Sequence, residues 1–127
     1  MAKINLYPTK CNLCGGDVIY TTNDVIYGKK YGSGYCYLCT NCGANVGTHK
    51  LEPKKAFGIL SNNEMKQMRL KCHHLFDDMW ATNKERTFMY QKLANALGID
   101  VSQCHFGYFD INMLNKAYEI IKVWLDD

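Results

Sequence analysis

Proline is nearly missing from this chain, with only Pro8 and Pro53 among 127 residues. That excludes a polyproline linker or a collagen strand. No apolar run reaches the roughly 18 residues that would cross a bilayer, so no membrane association is expected. The opening MAKINLYPTK has no apolar stretch of about 7–15 residues, so no secretory leader is expected and a cytoplasmic setting is. Neither sign of charge dominates: 15 Lys and Arg stand against 12 Asp and Glu, a formal +3. At 127 residues there is no room for a barrel or a full dinucleotide fold. Hydrophobic residues at 47% and charged residues at 21% fit a globular domain rather than a disordered tail or a coiled-coil rod.

What the chain does have is cysteine: seven, at 11, 14, 36, 39, 42, 72 and 104. An odd count without an export signal speaks against a disulfide framework. Cys11-x2-Cys14 and Cys39-x2-Cys42 are separated by 24 residues, the usual signature of a tetrahedral zinc site. The two-residue spacing lets one tight turn aim both sulfurs at a point about 2.3 Å away. Glycines follow each pair, as Gly15-Gly16 and as Gly43, and glycine accepts the positive φ of such a turn. Cys36-x2-Cys39 is a competing pair, but Gly43 after Cys42 repeats the place of Gly15 after Cys14 and favours 39 and 42. Four thiolates close the shell around one ion, which makes the metal structural rather than catalytic. With a zinc ion they carry −2, which brings the formal +3 to about +1. Cys36, Cys72 and Cys104 then read as packed thiols.

Between the pairs, Asp17–Thr22 and Val25–Tyr27 are rich in β-branched and aromatic residues around Asn23-Asp24, and read as a hairpin. Tyr35–Leu38 and Ala44–Thr48 read as further strands, and His49–Lys55 as a connector. Beyond it the periodicity turns helical. Ser61-x-x-Glu64 and Thr82-x-x-Glu85 are capping boxes. Met65, Met68, Cys72, Leu75, Phe76, Met79 and Trp80 recur on one stripe. Gly98 is a helix stop, and Asp110 caps a last helix with Leu114, Ala117, Tyr118, Ile121, Trp124 and Leu125 on its apolar face. The expected fold is α+β: an N-terminal four-cysteine zinc ribbon of antiparallel strands over 1–55, packed against a three-helix unit over 56–127 as one compact domain.

Two groups of residues invite a functional reading. Tyr27, Lys29, Lys30, Tyr31 and Tyr35 interleave with glycines in one loop. Lysines neutralise phosphates and tyrosines stack on unpaired bases or anchor protein interfaces. The first 55 residues carry seven Lys and three acids, so nucleic acid is permitted as a partner without being demanded. The second group is His49, His73, Asp77, His105 and Asp110. If these converged they could hold a catalytic metal or cut a phosphodiester. They lack a spacing such as H-E-x-x-H, and the plainer expectation is that each caps a backbone group or packs locally.

The strings CNLCGG (11–16), VIYGKKYG (25–32), CTNCGANVGTHK (39–50), FGIL (57–60), HHLFDDMW (73–80) and CHFGYFD (104–110) resemble a zinc-finger-containing domain family of phages, prophages and bacteria. The resemblance implies that Cys11, Cys14, Cys39 and Cys42 hold the metal and that Cys36 does not. His49, His73, Asp77, Trp80, His105 and Asp110 match its other recurring positions. It implies a zinc-bound accessory protein of phage type and no reaction. The leading expectation is therefore a protein that binds a host protein or nucleic acid, such as an inhibitor of host defence, with no small-molecule cofactor. A small hydrolase or nuclease built on the His/Asp group, and a structural part of a phage assembly, are the alternatives.

Overall fold

In a computed structural model the described residues are 4–126. They form two compact units, Ile4–Asn63 and the residues from Glu64 on.

The first unit is an antiparallel sheet in the order β1 (Val18–Thr22), β2 (Tyr35–Cys39), β3 (Asn45–Gly47). Val18 faces Cys39, Tyr20 faces Tyr37, and Tyr37 faces Val46. Because side chains alternate along a strand, Tyr20, Tyr37, Cys39 and Val46 share one face. Tyr37, Cys39 and Val46 join Cys11, Ala44, Ala56 and Leu60 in the core of this unit. The segment expected as a connector folds back over the tyrosines instead. The Tyr20 hydroxyl donates to the Pro53 carbonyl and the Tyr37 hydroxyl to that of Lys54, each at 2.6 Å. Thr48 then bridges Ala56, and Asn45 bridges Ser61.

Two expectations need correction here. Val25–Tyr27 is not a strand: Asp24–Tyr27 is a single helical turn, α1, closed by Gly28 at φ +81°. The cause is nonlocal. The buried Asn23 side chain donates to the Tyr31 carbonyl at 2.8 Å and accepts from its N–H at 3.1 Å. β1 therefore pairs with β2 across a closed loop rather than with residues 25–27. Ser61 also does something other than open a helix: its hydroxyl donates to the Asn45 carbonyl at 3.4 Å, and its backbone pairs with the same residue.

The second unit holds the three expected helices, α2 (Asn63–Asp77), α3 (Asn83–Leu97) and α4 (Ile111–Asp126). Met65, Cys72 and Phe76 are the buried stripe of α2. The helix ends before Met79 and Trp80, which lie in the following turn. Thr82 caps α3, accepting the Glu85 N–H at 3.2 Å, and Gly98 ends it at φ +72°. The Asp110 carboxylate accepts the Met113 N–H at 2.8 Å and starts α4. Between α3 and α4 run two short 3-10 turns, Val101–Gln103 and Phe106–Tyr108. Phe106 is the hub of the core, with its ring 4.7 Å from His73, 5.5 Å from Phe76 and 5.9 Å from Phe109. Among the described residues no helix is long and apolar enough to cross a membrane.

Candidate metal centre

The two cysteine pairs sit in turns built alike. In the first, the Cys11 N–H donates to the Gly16 carbonyl and the Gly15 N–H donates back to Cys11, both at 2.9 Å. In the second, the Cys39 N–H donates to Ala44 at 2.8 Å and the Gly43 N–H donates back to Cys39 at 3.2 Å. Gly15 and Gly43 hold φ +76° and +82° at equivalent places. A side chain there would strain the turn.

The turns bring four sulfurs together. The Sγ atoms of Cys11, Cys14, Cys39 and Cys42 all lie within 4.8 Å of one another. Cys11 and Cys42 are 3.7 Å apart, and Cys14 and Cys39 are 3.5 Å apart. Sulfurs at 2.3 Å from a tetrahedral zinc are about 3.8 Å from each other. A disulfide would need about 2.05 Å, and all four cysteines are free. The donor set and its spacing therefore fit one structural zinc ion with no position left for water or substrate.

The surroundings suit four negative sulfurs. N–H groups of Leu13 (3.3 Å), Gly16, Asn41 and Cys42 (3.4 Å each) donate to them, and the Asn41 side-chain amide reaches Cys14 at 3.4 Å. Asn41 first, then the Gly16 N–H, bring the Cys14 thiol down to about 6. The Ala44 N–H pulls Cys42 the same way, but desolvation and three neighbouring sulfurs together push it up to about 12. One thiolate thus forms readily in the free cluster and another is resisted. That is the expected behaviour of crowded like charges, which a divalent cation relieves.

Asn12 and Asn41 were not singled out in advance, and the positive φ expected at Gly16 needs correction. Gly16 does not have a positive φ; its role is space. A Cβ there would stand 2.8 Å from the Asn41 Cβ and 3.1 and 3.2 Å from the sulfurs of Cys39 and Cys14. Asn12 latches the first turn to the end of the ribbon, donating to the Leu60 carbonyl at 3.0 Å and accepting its N–H at 2.9 Å. An asparagine inside a Cys-x2-Cys spacer is the available sequence signal for both Asn12 and Asn41. Cys36 is buried outside the cluster. Cys36 and Cys39 are three positions apart along β2, an odd spacing, so the two side chains take opposite faces.

The His/Asp group does not gather. His49 lies in the ribbon unit, its ring 4.6 Å from Phe57. His73 packs on Phe106 and His105 on Tyr108, each at 4.7 Å. Asp110 caps α4, and Asp77 is exposed at the end of α2. Among the described residues the four cysteines are the only group of three or more His, Cys, Asp or Glu whose ligand atoms converge. His74 is a surface group. Cys72 and Cys104 are buried, and burial pushes both thiols up to about 11.

The loop residues all lie at the surface. Tyr27 and Tyr31 meet edge to face at 5.5 Å, and the Lys29 ammonium sits 5.2 Å from the Tyr31 ring centre. Lys30 is exposed. Tyr35 is stacked flat on Tyr20 at 5.3 Å, so one of its faces is already taken.

The family model of a zinc-finger-containing domain matches residues 7–124. No curated protein and no solved structure matches the chain. The matched span takes in both cysteine turns, the whole sheet and nearly all of the three long helices. On that match, and with the converging thiols it leads one to expect, the chain belongs to the zinc-finger-containing domain family.

Proposed function

We propose that this is a non-enzymatic binding module. The zinc ribbon is its scaffold, and Tyr27, Lys29, Lys30, Tyr31 and the free face of Tyr35 are its contact surface. One observation carries the reading: Tyr27 and Tyr31 are 52% and 50% exposed, yet they are held against each other with a lysine over one ring. Solvent-facing aromatics normally lose freedom on binding. Here Asn23 fixes the Tyr31 backbone from both sides, so part of that ordering is done before a partner arrives. A few rigid aromatic anchors supply most of the energy of an interface.

The partner is a host protein or a nucleic acid. Small stand-alone inhibitors need one good patch, and the finer form of the proposal is a phage-type accessory protein that occupies a host protein in the cytoplasm.

Salt dependence separates the partners. Fluorescence anisotropy with single-stranded oligonucleotides is expected to show tighter binding at low salt if nucleic acid is bound. Lys29→Ala with Lys30→Ala is then expected to flatten the log-log salt slope by about 1.4. If no oligonucleotide binds, pull-down from host lysate with wild type against Tyr27→Ala/Tyr31→Ala tests the protein partner. A partner retained equally by both would remove this loop from the reading.

A further inference from the structure

An open cavity of about 190 Å3 lies beside α3 in the helical unit. Arg86, Thr87 and Tyr90 line it from the helix, and Val101, Cys104 and His105 from the turn that follows. One wall is apolar: Tyr90 and Cys104 are buried, and Val101 adds an aliphatic edge. Thr87 contributes only its methyl side, because its hydroxyl donates to the Asn83 carbonyl at 3.0 Å. Arg86 and His105 are left as donors.

Arg86 is held unusually for a cation. Its guanidinium carbon lies 4.7 Å from the Tyr90 ring centre and 5.6 Å from that of Trp80. Among the described residues it makes no ion pair, and no carboxylate lines the cavity. Arg86 also hydrogen-bonds the Tyr90 hydroxyl, and since a guanidinium carries five N–H donors, the rest stay available to an acceptor on its exposed side. Its charge reaches a neighbour across the cavity. Burial first and Arg86 second hold the His105 imidazole below its ordinary value. A neutral imidazole still offers one N–H.

We propose that this cavity binds a small oxyanion, a carboxylate or a phosphate monoester, carried on a flat or short apolar body. Arg86 takes two of its oxygens through its N–H edge, His105 donates to the same group, and the apolar body lies along Tyr90 and Val101. A bidentate guanidinium fork matches both headgroups. The site is independent of the tyrosine–lysine surface on the ribbon and does not rest on that reading.

The test is a two-dimensional amide NMR titration of the full zinc-loaded chain with benzoate, phenyl phosphate and, as an uncharged control, benzyl alcohol. Saturable shifts confined to Arg86–Tyr90 and Val101–His105 are expected, with a Kd on the order of 1 mM as befits a fragment. Response to phenyl phosphate alone assigns a phosphate, to benzoate alone a carboxylate, and to both a general oxyanion site. Arg86→Gln is expected to raise Kd about tenfold or more, since it removes a charge-assisted fork. Arg86→Lys, which keeps the charge without the fork, is expected to lose less and gives the reading if the Gln variant misfolds. Lys84→Gln, a cation on α3 outside the cavity lining, is expected to leave Kd unchanged. No saturable shift up to about 10 mM, an equal response to benzyl alcohol, or an unchanged Kd in both Arg86 variants would overturn the proposal.

Discussion

The two units of this chain are similar in length and stable for different reasons. The ribbon's core is small: Ala44, Val46, Ala56, Leu60, Tyr37 and two of its cysteines. Ile19, Val25, Tyr27, Tyr31 and Phe57 remain substantially exposed around it. A unit of about 60 residues buries too little apolar surface to be secure by packing alone. The metal supplies what the core lacks. The helical unit has no such device among its described residues. It has Phe76, Phe106, Leu93, Leu114 and Ile121 fully buried, an aromatic cluster around Phe106, and capped helix starts at Thr82 and Asp110. Coordination chemistry and close packing are thus alternative routes to the same end.

The sharpest way to break this contrast is to remove one ligand. Cys39→Ser leaves three sulfurs, and structural zinc is worth on the order of 10 kcal/mol to the folding of such units. The expected outcome is loss of stoichiometric zinc by elemental analysis and collapse of the ribbon's NMR dispersion, while helical-unit signals persist. A variant that keeps its zinc and its melting temperature would contradict the ligand assignment.

The converse break is Phe106→Ala. That ring is 1% exposed, and its truncation is expected to cost about 3–5 kcal/mol. Denaturant unfolding followed on the helical unit reads the loss, with zinc content unchanged. If zinc is lost as well, the two units do not depend on separate devices.

The gentlest probe is pH. His73 and His105 are held below the ordinary 6.5, in each case by burial first. Well above 6.5, beyond about pH 7.5, both are neutral whether folded or unfolded, so nothing changes. As pH falls through 6.5 the unfolded chain takes up protons that the folded chain refuses, and stability falls until the folded-state values are passed. The urea midpoint of the helical unit is expected to drop between about pH 7.5 and 5.5. Replacing both histidines with Gln is expected to flatten that dependence.

Much of the site was legible because it is local. A Cys-x2-Cys-Gly turn is complete within five residues, and so are the Thr82 cap and the Gly98 stop. Even the choice of Cys42 over Cys36 was indicated by the place of Gly43, and the parity of β2 agrees with it. What escaped is nonlocal. Val25 and Ile26 have the composition of a strand, but a side chain eight residues from Tyr31 in sequence decides their conformation. Ser61 has the spacing of a cap, but Asn45, 16 residues earlier, claims it. The return of 49–55 over the sheet depends on two tyrosine hydroxyls finding carbonyls 17 and 33 residues downstream. Gly16 was expected to supply a positive φ, when its function is clearance.

The likeness of the two cysteine turns bears on the order of assembly. Each turn needs only neighbouring residues, so each can present two sulfurs to an ion before any strand exists. Joining them closes a 24-residue loop, an entropic cost of about 3 kcal/mol that a shared ion readily outweighs. Cys39 is also the last residue of β2, opposite Val18. Once it is clamped beside the first turn, β1 and β2 have one register to zip into. A slip of one residue would put Tyr20 and Tyr37 on opposite faces. The ion therefore acts as a ratchet stop for the sheet: it decides which pairing is reached as well as how firmly it is kept.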